Sequence, residues 1–140
     1  MAEIRLSRTI EFSTSLRYWN PELDLAANRA LFGAKAAQHG HNYRLEVTIR
    51  GEPDPRTGMV MDLKDLQEIL EREIMTRFDH RDLNRDTPYF EKEPATPENF
   101  VMVIRRLLVA ALPPGSLDRL RLQEDADTFV EWFEPREDTP

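Results

Sequence analysis

The sequence predicts an α+β domain: a four-stranded antiparallel sheet with two helices on one face, in the order ββααββ. Three observations carry this. Two runs near the N-terminus alternate apolar and polar residues with a period of two. Two consecutive central stretches space their apolar residues three and four apart, behind helix-capping residues. Two short alternating runs then close the chain. Strands, then helices, then strands, without βαβ alternation, leave the helices on one side of an antiparallel sheet.

The first strand is read from Ile4 to Phe12, where Ile4, Leu6, Ile10 and Phe12 share one parity and Glu3, Arg5, Ser7, Thr9 and Glu11 the other. Arg17 to Gln38 holds scattered apolar residues among Asn20, Pro21, Asn28 and Gly33, and reads as a long excursion with one short helical turn. The second strand is the cleanest, with Tyr43, Leu45, Val47 and Ile49 alternating against Arg44, Glu46, Thr48 and Arg50. Turn residues from Gly51 to Gly58 end it, and Met59-Val60-Met61 resumes extended structure. Asp62 caps the first helix, whose core stripe is Leu63, Leu66, Leu70, Ile74 and Phe78. Thr96-Pro97-Glu98 opens the second, with an N-cap hydroxyl, a proline at the first helical position and an acid in the first turn. Its stripe is Phe100, Ile104, Leu107, Leu108 and Ala111, and Pro113-Pro114-Gly115 stops it. Leu120 and Leu122 then lead to Glu124, Asp125-Ala126-Asp127 forms a hairpin turn, and Phe129 to Phe133 makes the last strand. Residues 1–134 are read as a single domain and 135–140 as a disordered tail. Open sheet edges in so small a chain favour assembly in which sheets of neighbouring subunits continue one another.

With 140 residues, 40% hydrophobic and 32% charged, the chain suits one compact core. It has no cysteine, which excludes disulfides, thiolate metal sites and thiol nucleophiles. A net charge of −7 argues against nonspecific affinity for nucleic acid, while leaving room for a local basic pocket that takes a small anion. The N-terminus carries no basic-then-apolar leader, and no run approaches the roughly 18 apolar residues of a membrane span, so a cytoplasmic protein without membrane contact is expected.

Two of the three histidines, His39 and His41, lie two residues apart at the start of a strand. Side chains at i and i+2 leave the same face, so both imidazoles could reach one cation. Zinc suits such ligands, but a catalytic zinc takes three protein ligands, and an ordinary polar loop–strand junction explains the pair as well. The remaining histidine, His80, follows Asp79. A carboxylate beside an imidazole can orient it for proton transfer, and a histidine at a helix C-terminus equally serves the helix dipole. Glu124 shares the parity of Leu120 and Leu122, which places it either inward, where its carboxylate needs a partner, or as a solvated acid next to a turn. An aminopyrimidinone edge, with two parallel N–H donors, would satisfy it as a guanidinium does.

Taken together, these segments resemble the 6-pyruvoyl-tetrahydropterin synthase and 6-carboxytetrahydropterin synthase family. The resemblance is carried by Phe12-Ser13-Thr14-Ser15, Leu31-Phe32-Gly33, His39-Gly40-His41-Asn42-Tyr43, Thr57-Gly58-Met59-Val60-Met61-Asp62, Asp79-His80 with Leu83-Asn84, Pro88-Tyr89-Phe90, Thr96-Pro97-Glu98-Asn99 and Glu124. It implies a T-fold, assembled through edge strands into a ring, usually a homohexamer built as a dimer of trimers. It also implies a pterin ligand, commonly dihydroneopterin triphosphate, held by Glu124 with Thr96 and Glu98, and lyase chemistry in which three histidines hold zinc, a cysteine acts as base and an Asp–His pair completes the proton relay. Asp79 and His80 match that pair, and His39 and His41 match two of the three ligands.

Two positions depart from the family's pattern. Leu16 stands where the first zinc ligand is expected, and Lys35 where the cysteine is expected. Two imidazoles rarely hold zinc unaided, so zinc is an option left open and the standard zinc and cysteine mechanism is not expected. The resemblance, with these two departures, implies a pterin-binding enzyme of altered chemistry that uses Lys35 or the Asp79–His80 pair as base, carbon–carbon cleavage of the side chain included. The alternative is an inactive, zinc-free homologue that binds pterin or only forms the ring.

Overall fold

A computed structural model describes residues 2–135 of the chain. Strand β1 (Ile4–Leu16) pairs antiparallel with β2 (His39–Gly51) along its whole length. A two-residue strand, β3 (Arg81–Asp82), lies parallel to β1 at Thr14 and Ser15. Strand β4 (Leu117–Gln123) joins the far side of β2, and β5 (Phe129–Phe133) follows it through a tight hairpin. The sheet therefore has five strands, in the order β3-β1-β2-β4-β5, where the sequence predicted four. A strand as short as β3 carries no alternation to read; its pairing with β1 defines it. Met59-Val60-Met61 belongs to none of the strands. The expected disordered tail lies, from residue 136 onward, outside the described residues.

The inward parity of β2 and β4 follows the alternation closely: Tyr43, Leu45, Val47, Ile49, Leu120 and Leu122 are all at or below 1% exposure, whereas in β1 Leu6 and Ile10 are half-buried and Ile4 is exposed. Two helices cover this face, and a third lies in the excursion between β1 and β2. That third helix, α1 (Leu25–Phe32), occupies the stretch where one turn was expected. It buries no apolar stripe, since Leu25 and Leu31 stay exposed, so periodicity could not announce it. Asp24 caps it, and the fully buried Asn28 plugs the loop: its amide donates to the carbonyls of Asn20 and Leu23, and its oxygen accepts from the Asn20 N–H at 2.8 Å. A 3-10 turn, Gly33–Ala36, follows and carries Lys35 towards the sheet.

Of the two covering helices, α2 starts at Leu63–Leu70 behind Asp62, passes through a π turn at Glu71–Met75 and ends at Thr76–Phe78. Its buried residues Leu66, Leu70, Ile74 and Phe78 are spaced by four throughout. At 3.6 residues per turn, three such steps drift about 120° off one face, and the wider π turn takes up that drift. Leu63, expected in the stripe, is instead 47% exposed. Helix α3 is Pro97–Ala111, capped by the Thr96 hydroxyl, which accepts from the Asn99 N–H at 3.3 Å. Among the described residues no helix is long and apolar enough to cross a membrane.

Candidate functional site

The β1–β2 register sets the geometry of the histidine pair. His41 lies opposite Thr14, Gly40 opposite Ser15 and His39 opposite Leu16. A side chain at Gly40 would press on the Thr14 carbonyl at 3.3 Å, which is why a glycine separates the two histidines. Their rings are 5.0 Å apart and nearly perpendicular. The Nδ1–H of His39 donates to the Ala37 carbonyl at 2.8 Å, which leaves Nε2 as its free nitrogen. Leu16 is fully buried in the core at the position facing that ring.

Glu124 sits at the end of β4 with 2% exposure. Its backbone N–H closes the β4–β5 turn on the Thr128 carbonyl at 3.0 Å. The carboxylate accepts from the Tyr18 hydroxyl at 2.7 Å, while His41 Nε2 lies 3.3 Å and Lys35 Nζ 3.8 Å from its other oxygen. Tyr18 is itself tied to Lys35, donating its N–H to the Lys35 carbonyl at 2.8 Å, and the ammonium lies 5.1 Å above the phenol ring. Burial first, then the hydrogen bond to Glu124, pushes the Tyr18 phenol far above its ordinary pKa, so it remains a donor. Burial holds His41 below the usual imidazole range, against the opposing pull of Glu124.

Asp79 and His80 form a second corner, just beyond the end of α2. Asp79 Oδ1 accepts from the Ser13 N–H at 3.0 Å and lies 3.0 Å from His80 Nδ1, while the His80 N–H donates to the Ser13 carbonyl at 2.7 Å. The Ser13 N–H is the main cause holding the Asp79 carboxyl below its usual range. His80 adopts a left-handed backbone, φ 59°, unusual for a histidine, and its side chain is 83% exposed. Its N–H bond to the Ser13 carbonyl holds that backbone against β1.

One open cavity of about 1080 Å³ joins the two corners, lined among others by His41, Tyr43, Asp79, His80, Glu124 and Asp125. Thr14 Oγ1, Tyr43 Oη and the Nε2 atoms of His39 and His41 are buried there or beside it without a hydrogen-bond partner among the described residues. Lys35 reaches Glu124 but is not part of the cavity wall, and neither are Thr96, whose hydroxyl caps α3, or Glu98, whose charge adds to the upward push on Tyr18. Sequence reasoning misses Tyr18. Carrying the alternation of β1 past Phe12 through Thr14 and Leu16 puts Tyr18 on the inward parity, which is the signal that could have found it.

A sequence model of the 6-pyruvoyl tetrahydropterin synthase family matches residues 5–135. The chain belongs to this family. It is 41% identical over 130 residues to a 6-pyruvoyl tetrahydrobiopterin synthase of Pongo abelii, covering 91% of this chain and 90% of that protein. It is 43% identical over 133 residues to the protein of the same name from Drosophila melanogaster, covering 93% and 79%. The solved 6-pyruvoyl tetrahydropterin synthase of Caenorhabditis elegans superposes with a TM-score of 0.90 at 29% identity, over 96% of this chain and 98% of that one.

Against the family's three-histidine zinc, the residues here fit only in part. The unpartnered Nε2 atoms of His39 and His41 supply two donors, and the third position is a buried leucine with no donor atom. A different group, His41, Glu124 and Asp125, brings its ligand atoms within 4.8 Å of one another and could hold a metal ion. The Lys35 ammonium shares the same Glu124 oxygen, however, and a divalent cation there would have to displace it.

Proposed function

We propose that this synthase-family protein is a pterin-binding lyase that anchors its ligand on Glu124 and acts on the ligand's side chain without the three-histidine zinc. Glu124 carries the reading: a carboxylate at 2% exposure, in the wall of the cavity that Asp79 and His80 also line. A carboxylate offers about four lone-pair positions, so it can keep the Tyr18 bond and still accept the two parallel N–H donors of an aminopyrimidinone. The orphaned polar atoms of Thr14, His41 and Tyr43 are further partners for a polar ligand, since buried polar groups are normally satisfied. Lys35 serves here as the cation that makes a buried carboxylate tolerable before the ligand arrives. Proton transfer falls to His80, oriented by Asp79 and open to the cavity. Assembly into a homohexamer is part of this reading, with β5 as the pairing edge; Phe129 and Phe133 stand 46% and 59% exposed on it.

A second reading is a binding-only homologue, favoured by the one fact that Tyr18 and Lys35 already satisfy Glu124. Incubating metal-analysed protein with dihydroneopterin triphosphate separates the two. The lyase reading expects side-chain products at sub-stoichiometric zinc, with turnover falling about 100-fold or more in His80→Ala. Recovery of bound, unchanged pterin establishes the second reading instead, and turnover strictly proportional to zinc contradicts the zinc-free one.

A further inference from the structure

We propose a separate oligophosphate-binding site in the cavity of about 630 Å³ where Arg17, Arg29 and Arg85 converge. Three distant stretches supply them: Arg17 follows β1, Arg29 stands in the last turn of α1, and Arg85 follows β3. In a chain of net charge −7, none of the three pairs with a carboxylate among the described residues, whereas Arg5, Arg50, Arg77 and Arg119 each do.

The one carboxylate in the wall cannot neutralise them. Asp82 Oδ1 accepts from the N–H groups of Asn84 and Arg85, and Oδ2 from Ser15 Oγ and Gln38 Nε2, all between 2.8 and 3.0 Å. Its lone pairs are spent on holding the loop. Asn84 in turn clamps Arg17, accepting from its N–H at 2.8 Å and donating to its carbonyl at 3.2 Å. The Arg17 guanidinium then lies 3.8 Å over the Trp19 ring, which fixes its plane and leaves its edge donors free. Arg29 alone would be accounted for as a cation at a helix C-terminus; the convergence of three is not.

Guanidinium forks match phosphate oxygens two at a time, and the cavity far exceeds one phosphate, so the chemistry selected is a chain of phosphates or a phosphorylated small molecule. The phosphates have two sources: an arm of the molecule seated at Glu124, or an independent soluble oligophosphate. Ser13 lines the Glu124 cavity and Arg17 this one, four residues apart on and just after β1, or about 13 Å.

Calorimetric titration of the full chain with inorganic tripolyphosphate is the test, with circular dichroism confirming that each variant folds. Binding should weaken about tenfold or more in Arg29→Gln and again in Arg85→Gln, with Arg85→Lys intermediate, and should fall as salt rises. Arg56→Gln, an exposed control remote from the cavity, should leave it unchanged. If the arm is the source, dihydroneopterin triphosphate binds more tightly than neopterin and loses that advantage in the arginine variants. If the oligophosphate is independent, tripolyphosphate and neopterin bind together without competing. No tripolyphosphate binding, or an equal loss in Arg56→Gln, overturns the proposal. Because tripolyphosphate carries no pterin, that failure leaves the Glu124 reading standing.

Discussion

The Asp79–His80 corner and the Glu124 corner face one cavity but are held in opposite ways. Asp79 and His80 are fixed by the main chain of Ser13, through an N–H and a carbonyl that nearly every residue type supplies. Glu124 is fixed by side chains, the Tyr18 hydroxyl and the Lys35 ammonium, inside the core. A corner built on backbone survives changes of sequence around it. One built on side chains can be rewired by single substitutions, and Lys35 lies there. Under the proposed function, the proton relay and the metal site thus need not change together.

That contrast can be broken most sharply at Glu124. Glu124→Gln should weaken neopterin binding about 100-fold, the loss of two charge-assisted hydrogen bonds, as read by fluorescence titration. His80→Ala should leave binding intact while removing turnover, so equal effects at both corners would erase the distinction. Next is Leu16→His, which returns a third imidazole opposite His39. Zinc content should rise towards one per chain, with a stability cost of about 1–3 kcal/mol for a polar ring in the core. Unchanged zinc in a folded Leu16→His protein would show that more than Leu16 closed the site.

Tyr18→Phe tests the side-chain corner alone. It removes one hydrogen bond to a buried carboxylate and should destabilise the fold by about 1–3 kcal/mol in urea unfolding. The smallest effect belongs to Asp79. Its carboxyl is held below the ordinary aspartate range in the folded chain, so the unfolded chain binds the proton more readily. Stability from this group is present above the unfolded pKa of about 3.9 and is lost as pH falls through the lower folded value. Asp79→Asn should therefore be less stable than the parent near neutral pH, with the gap closing in acid.

Much of this was legible in the sequence. The inward sets of β2 and β4 follow from parity alone, because a period of two leaves no choice of face. Helix α3 announced itself by Thr96 and Pro97. Helix α1 did not, since a polar plug at Asn28 holds it rather than an apolar stripe, and β3 is too short to carry any pattern. The site was readable as separate motifs. Its wiring was not: Tyr18 and Glu124 meet across 106 residues, a contact no local pattern encodes.

If Glu124, not zinc, anchors the ligand, pterin binding must be indifferent to the metal. Titrating neopterin into chelator-treated protein, with and without added zinc, tests this most directly. The same affinity is expected in both, and its loss in Glu124→Gln. Binding that appears only when zinc is added would contradict the anchoring role of Glu124.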